Sequence, residues 1–352
     1  MNKKKDPSSV GAAVIGLGRG RTHVKAILKA QGAELIAVCD KNQAAADKFA
    51  EEFGADAYTD LSEMLKRDDI DLVHVCTPSG LHTEMLLQIA EAGKHAITEK
   101  PLDITLERID SAIEAFASRG LHLGCIFQIR LMPAIQEMKK AVDAGRLGTP
   151  VLANAHVKWF RTQEYYEQNG GWRGTWAWDG GGSLMNQAVH TIDLLQWMMG
   201  PVQSVVGHAK VSAHQIETED LGVALVKFAS GAVGTIVGTT AAYPGFGSSL
   251  ELFGSDGGIA MKENLITDWK IRGDQMAEEE ADMRKRFGEL SEAKAALQAD
   301  TTDKQIQDMI DAVRFNRPPM ITGREGRDAV EIVLAIYESS RTGKEIFLPA
   351  KK

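Results

Sequence analysis

Between Val10 and about Gln128, short apolar runs alternate with stretches of helical periodicity, and this alternation constrains the fold more than any other feature. The expected strands are "GAAVIG", "ELIAVC", "DLVHVCT", "HAITE" and "LHLGCIF". Between them, "THVKAILKAQ", "NQAAADKFAEEF", "LHTEMLLQIAEAG" and "TLERIDSAIEAFASRG" place apolar residues at helical spacing. Strands this continuously apolar are covered on both faces, and alternation with helices makes their sheet parallel. Residues 1–128 are therefore expected to form a doubly wound α/β domain.

A helix near Pro133 to Ala144 and the turn "GRLGTP" precede a change of texture. The longer runs "VLANAHVKWF", "VQSVVGHAKVSAH", "GVALVKFA", "AVGTIVGTTAAY" and "SSLELFG" follow with few helices between them, and "FASGAVG" reads as a hairpin turn. This predicts a second α/β domain, residues 129–352, with a large and mostly antiparallel open sheet; 352 residues suffice for two cores. The charged stretch "DQMAEEEADMRKRFGELSEAKAALQAD" reads as a solvated helix, or else as a cover for an active site or a partner subunit. In the last helix, Ala329, Ile332, Val333, Ile336 and Tyr337 fall on one core-facing stripe.

With 40 basic against 48 acidic residues and a net charge of -8, no global field favours nucleic acid or an anionic membrane. The opening "MNKKKDPSSVGAAVIGLG" carries lysines, but Asp6 and Pro7 interrupt it, so no export signal is read. No run reaches the roughly 18 apolar residues that span a bilayer. Cys39, Cys76 and Cys125 lie far apart in strand-like runs, as expected of buried free thiols in a reducing cytoplasm. No clustered ligand set suggests a metal.

"AVIGLGRGRTH" places Gly16 and Gly18 where the first strand turns into a helix, so that backbone N–H groups can approach a pyrophosphate. The third position of this motif is Arg21 rather than a small residue, with Gly20 one place early. Asp40 closes the second strand 22 residues after Gly18, where a carboxylate accepts both ribose hydroxyls of NAD and repels the 2'-phosphate of NADP. NAD is therefore the expected cofactor, unless Arg19, Arg21 or Lys41 neutralises such a phosphate. Thr77 and Pro78, at the end of the next long strand, are cofactor-loop candidates; His82 either contacts the cofactor or caps a helix.

"HAITEKP" ends the following strand at the same edge, with Glu99 and Lys100 held by a proline. An ammonium there can stabilise the alkoxide that develops as hydride leaves an alcohol carbon, with Glu99 orienting it or touching the ribose. The alternative is a surface ion pair. Further on, three glycines, Gly180 to Gly182, precede a helix on which Asn186, His190 and Asp193 share one face. His190 suits a general base for the hydroxyl proton, or is a hydrogen-bonded structural histidine.

Taken together, "GLGRGRTH", "CTPSGLH", "TEKP", "GGG" and "NQAVHTIDLLQW" in this order resemble the glucose-fructose oxidoreductase, inositol dehydrogenase and rhizopine-catabolism family (Gfo/Idh/MocA), nearly end to end. The resemblance implies a Rossmann domain followed by an oligomerising sheet domain, hence a homodimer or homotetramer. It also implies NAD(P)-dependent redox chemistry at a hydroxyl-bearing carbon of a sugar or cyclitol. Lys100 matches the family's catalytic lysine and His190 its proton acceptor. Asn186 stands where inositol dehydrogenases carry an aspartate, so that relay is missing, although Asn186 can still bind a substrate hydroxyl. Asp193 matches a family acid on the same helix, and Gln128 a side-chain amide near the nicotinamide or substrate. The run "WFRTQEYYEQNGGWRGTWAWDGGGSLMNQ" is similar to the branch of UDP-N-acetyl-2-amino-2-deoxyglucuronate dehydrogenases. In that light Arg173 pairs with a substrate carboxylate or phosphate, and Trp172 or Tyr166 stacks on a ring, or these aromatics fill an interface. An NAD-dependent glycosidase using transient 3-oxidation, or a dinucleotide-sensing binding module, are the alternatives to a C3 dehydrogenase.

Overall fold

A computed structural model describes residue 6, residues 8–289 and residues 301–349. The opening lysines and the end of the charged stretch, residues 290–300, lie outside the described residues. The chain divides into two compact units, Met1–Gln128 with Asp300–Arg327, and Ile129–Ala299 with Asp328–Lys352.

The first unit holds six parallel strands: β1 (Val10–Ile15), β2 (Ala33–Cys39), β3 (Asp56–Tyr58), β4 (Leu72–Val75), β5 (His95–Thr98) and β6 (Leu123–Cys125). Their order is β3-β2-β1-β4-β5-β6. Helices α1 (Leu17–Lys29), α2 (Gln43–Phe53), α3 (Leu61–Leu65), α4 (His82–Glu91) and α5 (Leu106–Ala117) connect them. Strands β1 and β4 are wholly buried, which accounts for their unbroken apolar character.

The single domain cut expected after residue 128 differs from the observed division, because the helix Thr301–Arg314 belongs to the first unit. Its Ile306, Met309 and Ile310 join Val14, Val24, Ile27 and Ile126 in one core. Buried Gln305 fastens it to the edge strand: its amide donates to the Cys125 carbonyl (2.8 Å) and its Oε1 accepts from the Phe127 N–H (3.1 Å).

The second unit holds eight strands: β7 (Pro150–Lys158), β8 (Val202–Lys210), β9 (Leu221–Phe228), β10 (Val233–Thr239), β11 (Gly247–Gly254), β12 (Gly257–Lys262), β13 (Leu265–Ile271) and β14 (Ile346–Phe347). Their order is β13-β12-β11-β7-β10-β9-β8-β14, with every neighbouring pair antiparallel except β7 with β10. The expected hairpin between β9 and β10 is present, with Gly231 at φ 89°. Helix α6 (Pro133–Asp143) precedes the sheet; α7 (Gln163–Glu167) and α8 (Val189–Met199) follow β7. The charged stretch forms α9 (Met276–Phe287), tied along β13 by Trp269 Nε1 to Glu279 (3.0 Å) and by Lys270 to Glu280, with Met283 buried beneath. No helix among the described residues is long and apolar enough to cross a membrane.

Because Gln305 bonds two buried backbone groups, Gln305→Leu should remove both hydrogen bonds, at about 0.5–1.5 kcal/mol each. Urea unfolding should show a lower midpoint for the variant than for the parent chain.

Candidate active site

In a parallel sheet every strand ends at the same edge, so Gly16, Asp40, Thr77, Glu99 and Lys100 follow β1, β2, β4 and β5 along one rim. Gly16 has φ 86°, and a Cβ there would stand 2.7 Å from the Cys76 carbonyl carbon, so only glycine fits. A Cβ on Gly18 would meet nothing within 4 Å, which leaves the first turn of α1 open to a ligand. Gly20 supplies the close helix packing, since its Cβ would stand 2.9 Å from Val14. Arg21 is thereby free to form a two-pronged ion pair with Glu52 (2.6 and 2.9 Å) and to stack on Phe49.

Asp40 accepts from the Leu17 N–H (2.9 Å) and the Asn42 N–H (3.0 Å), which fixes the carboxylate and leaves it further lone pairs for ribose hydroxyls. Gln128 opens a short turn (Gln128–Leu131), and its buried Oε1 has no hydrogen-bond partner among the described residues. A glycine-lined helix start, a fixed carboxylate and an orphaned amide oxygen fit a dinucleotide, which when bound would be held by Gly16, Gly18, Asp40 and Thr77.

His82 requires a correction. It is buried, with Nδ1 2.9 Å from the Pro101 carbonyl and Nε2 2.9 Å from that of Thr77, so it clamps the two rim loops together rather than facing a cofactor. Glu99 is also buried, accepting from Arg19 Nε (2.8 Å), His23 Nε2 (3.3 Å) and the Lys100 N–H (3.3 Å). Burial alone would raise its pKa, but the hydrogen bond from His23 and the Arg19 guanidinium hold it well below the usual carboxylate range. Arg19, half exposed, keeps its remaining guanidinium N–H groups available.

In the second unit, the glycine run leads into a π-helical segment, Ser183–Ala188, followed directly by α8. A Cβ on Gly222 or on its cross-strand partner Gly238 would stand 2.4 or 2.8 Å from Leu184, so this pair forms a notch that admits the segment. Buried Glu219 pins the start of the segment, accepting from the N–H groups of Gly182 (2.9 Å) and Leu184 (2.7 Å). Burial pushes its carboxyl up to about 7, against the pull of those backbone N–H groups.

This wider turn changes the face expected of Asn186, His190 and Asp193. Asn186 donates to Asp179 (2.6 Å), and its Oδ1 accepts from Gln187 (2.9 Å), which also donates to the Tyr165 hydroxyl (2.7 Å). His190 lies half-buried in the first turn of α8. Asp193 is not a substrate ligand in this arrangement: it is buried in a two-pronged pair with Arg130 (2.8 and 2.5 Å), whose guanidinium lies over Trp197. Tyr166 is likewise no stacking platform, because its ring is buried against His214 and its hydroxyl bonds Thr240 (2.6 Å).

The neighbouring Tyr165, which the sequence reading passed over, has Arg173 at 4.8 Å and Arg161 at 5.5 Å from its ring centre. Arg173 also lies 5.1 Å from the Trp172 ring, and its Nη1 is buried with no hydrogen-bond partner among the described residues. Among the described residues neither arginine has an ion-pair partner. Two unneutralised guanidiniums around one phenol are suited to an anion. No group of three or more metal-ligating side chains occurs among the described residues.

The rim of the first unit and its glycine turn define a nicotinamide-dinucleotide oxidoreductase. Residues 10–127 match the model of the oxidoreductase family with an NAD-binding Rossmann fold, and residues 135–260 that of the GFO/IDH/MocA C-terminal domain. The chain belongs to the GFO/IDH/MocA oxidoreductase family. Similar structures include the WlbA dehydrogenase of Chromobacterium violaceum in complex with NADH and UDP-GlcNAcA, 35% identical with TM-score 0.88 over 99% of this chain and 98% of that one. The WlbA dehydrogenase of Bordetella pertussis, with the same two ligands, is 32% identical with TM-score 0.88, over 99% of this chain and all of that one. The scyllo-inositol 2-dehydrogenase (NAD(+)) of Bacillus subtilis is 27% identical over 97% of each chain.

Glu219 generates a pH prediction. Its folded pKa stands above the ordinary value of 4.5, so its contribution to stability is full below pH 4.5 and lost as pH rises through about 7. Relative to Glu219→Gln, the parent chain should lose stability between pH 5 and 8, as read from the difference in melting temperature across that range.

Proposed function

We propose that this protein oxidises a secondary hydroxyl, at C3, of a sugar that carries an acid group, with NAD as cofactor. The observation that carries the acid group is the pair of arginines around Tyr165 without carboxylate partners. Support comes from the WlbA dehydrogenases, 35% and 32% identical, whose structures hold NADH and UDP-GlcNAcA. A nucleotide-linked aminouronate is therefore the proposed substrate class.

Bound NAD would supply the hydride acceptor. The proposed work of the chain is electrostatic and protonic. The Lys100 ammonium stabilises the oxygen that becomes an alkoxide, a role for which a positioned donor contributes about 10²- to 10³-fold. His190 takes the hydroxyl proton, Asn186 holds a substrate hydroxyl while Asp179 fixes its amide, and Arg161 with Arg173 pairs with the acid. Asp40 bonds the ribose hydroxyls and favours NAD over NADP.

The test is NADH formation from a panel of nucleotide sugars, uronates, free hexoses and inositols. Lys100→Met should lower kcat by about 10²-fold or more while NADH binding persists. Arg173→Met should raise KM for the acidic sugar by roughly 10- to 100-fold, the loss expected of a hydrogen bond to a charged group, and leave uncharged sugars unaffected. Equal loss on both kinds of sugar would remove the acid-binding role. Net NADH accumulation would separate a dehydrogenase from a glycosidase, which returns its hydride.

The proposed assembly is a homodimer or homotetramer through the second sheet. One row across β8 and β9 exposes Val206 and Leu225 (62% exposed), next to half-buried Thr235 of β10, with Val223 and Val233 exposed on the same sheet. An apolar patch of this kind suits a protein interface. Leu225→Lys should reduce the apparent mass in sedimentation equilibrium; an unchanged mass would place the interface elsewhere.

A further inference from the structure

Strand β4 is buried along its whole length, yet its third residue is His74 between two valines. Its Nδ1 lies 3.0 Å from Nδ1 of His23, a residue of α1 that is equally buried, and the two rings meet edge to face. The Nε2 of His74 has no hydrogen-bond partner among the described residues. A hydrophobic side chain in this place would avoid that unsatisfied nitrogen, so the core bears a cost for keeping histidine.

The hydrogen bonds run in one direction. Ionised Glu99 can only accept, so His23 donates to it from Nε2. In a neutral His23 ring Nδ1 is then the acceptor, and the proton between the two rings sits on Nδ1 of His74. The unpartnered Nε2 is left as a lone pair, which a buried site tolerates better than a stranded N–H. Burial holds the His74 imidazole well below its ordinary pKa, consistent with a neutral ring. The opposite tautomer would bury an N–H of His74 with no acceptor.

At the other end of this chain, one oxygen of Glu99 receives both His23 and Arg19, and the other faces the Lys100 backbone N–H at 3.3 Å. Three elements are thus tied together: β4, the first helix with its open glycine turn, and the loop bearing Lys100. We propose that His74 and His23 are positioning residues, which lock the Glu99 carboxylate in the rotamer that aligns the Lys100 loop with the dinucleotide cradle of α1. This rests on the reading of Lys100 as the cation beside the reacting alcohol. Without the His74 proton, Nδ1 of His23 loses its hydrogen bond, the ring keeps only its Glu99 anchor, and Glu99 is left to follow half-exposed Arg19. A misalignment of about 1 Å at such a site is able to cost up to 100-fold in rate.

Two substitutions separate positioning from packing. Leucine at position 74 fills the space without a donor, whereas asparagine carries an amide N–H near the place of Nδ1. For His74→Leu we expect kcat about 10-fold lower, the sugar KM within about twofold and a melting temperature at or above that of the parent. His74→Asn should retain kcat within about threefold despite a lower melting temperature. The opposite order of activities, with leucine as active as histidine, would overturn the proposal. Long-range ¹H–¹⁵N spectra of the imidazoles in the unsubstituted protein give a readout independent of substrate. They should show His74 protonated on Nδ1 and His23 on Nε2; a proton on His74 Nε2 would end the argument. Should no sugar reduce NAD, the catalytic reading fails by itself, while the spectra still decide the relay.

Discussion

The parallel direction of the first sheet is the constraint on which the cofactor site depends. Strands that all run the same way end on one side, and each following loop inherits that location whatever its own sequence. Gly16, Asp40, Thr77 and Lys100 are distant along the chain but become neighbours on a rim because of this geometry. The strand order reverses between β1 and β4, and there the requirement is strictest: Gly16 passes so close to the Cys76 backbone that no side chain is accommodated. The same closeness leaves the helix start bare, so the condition that packs the strands also exposes N–H groups to an anion.

In the second unit the equivalent role falls to a recess. Gly222 and Gly238 face each other across β9 and β10, and Leu184 enters the space their missing side chains leave. The Ser183–Ala188 turn can then approach the sheet, where buried Glu219 holds its first N–H groups. Burial pushes this carboxyl up to about 7, so the fastener costs free energy wherever it is ionised. The turn carries Asn186 and Gln187 toward Tyr165, and so brings amide groups beside the two unneutralised arginines.

The legible parts of the sequence were those governed by local periodicity. Strands β1, β2, β4 and β5 read clearly because burial on both faces demands continuous apolar runs. The three-residue edge strand β3 and the β12–β13 hairpin did not. That hairpin turns through Glu263 and Asn264, both at positive φ, a conformation that a Glu-Asn pair signals far less strongly than Asn-Gly. Ownership of a helix was also hidden. The stripe of Ile306, Met309 and Ile310 declares an apolar face, but periodicity cannot say which core it covers. For the site, residue type was readable and partnership was not: Asp193, Tyr166 and His82 are polar groups in plausible places whose partners, Arg130, Thr240 and two loop carbonyls, are set by tertiary contacts.

Those three residues also show why a polar side chain in an apolar setting is an ambiguous signal. Burial requires a partner, and a protein partner satisfies that requirement as well as a ligand does. The useful distinction is whether the partners are already present. Asp193 has a guanidinium gripping both carboxylate oxygens, and His82 has a carbonyl at each ring nitrogen. By contrast, among the described residues Gln128 Oε1 and Arg173 Nη1 are buried without a hydrogen-bond partner, and Arg161 has no neutralising acid. An arginine and an amide left in that condition are paid for only if something outside the chain completes them, an anion in the one case and a hydrogen-bond donor in the other. The unfinished bonds, more than the motif residues, thus define the chemistry the ligands must bring.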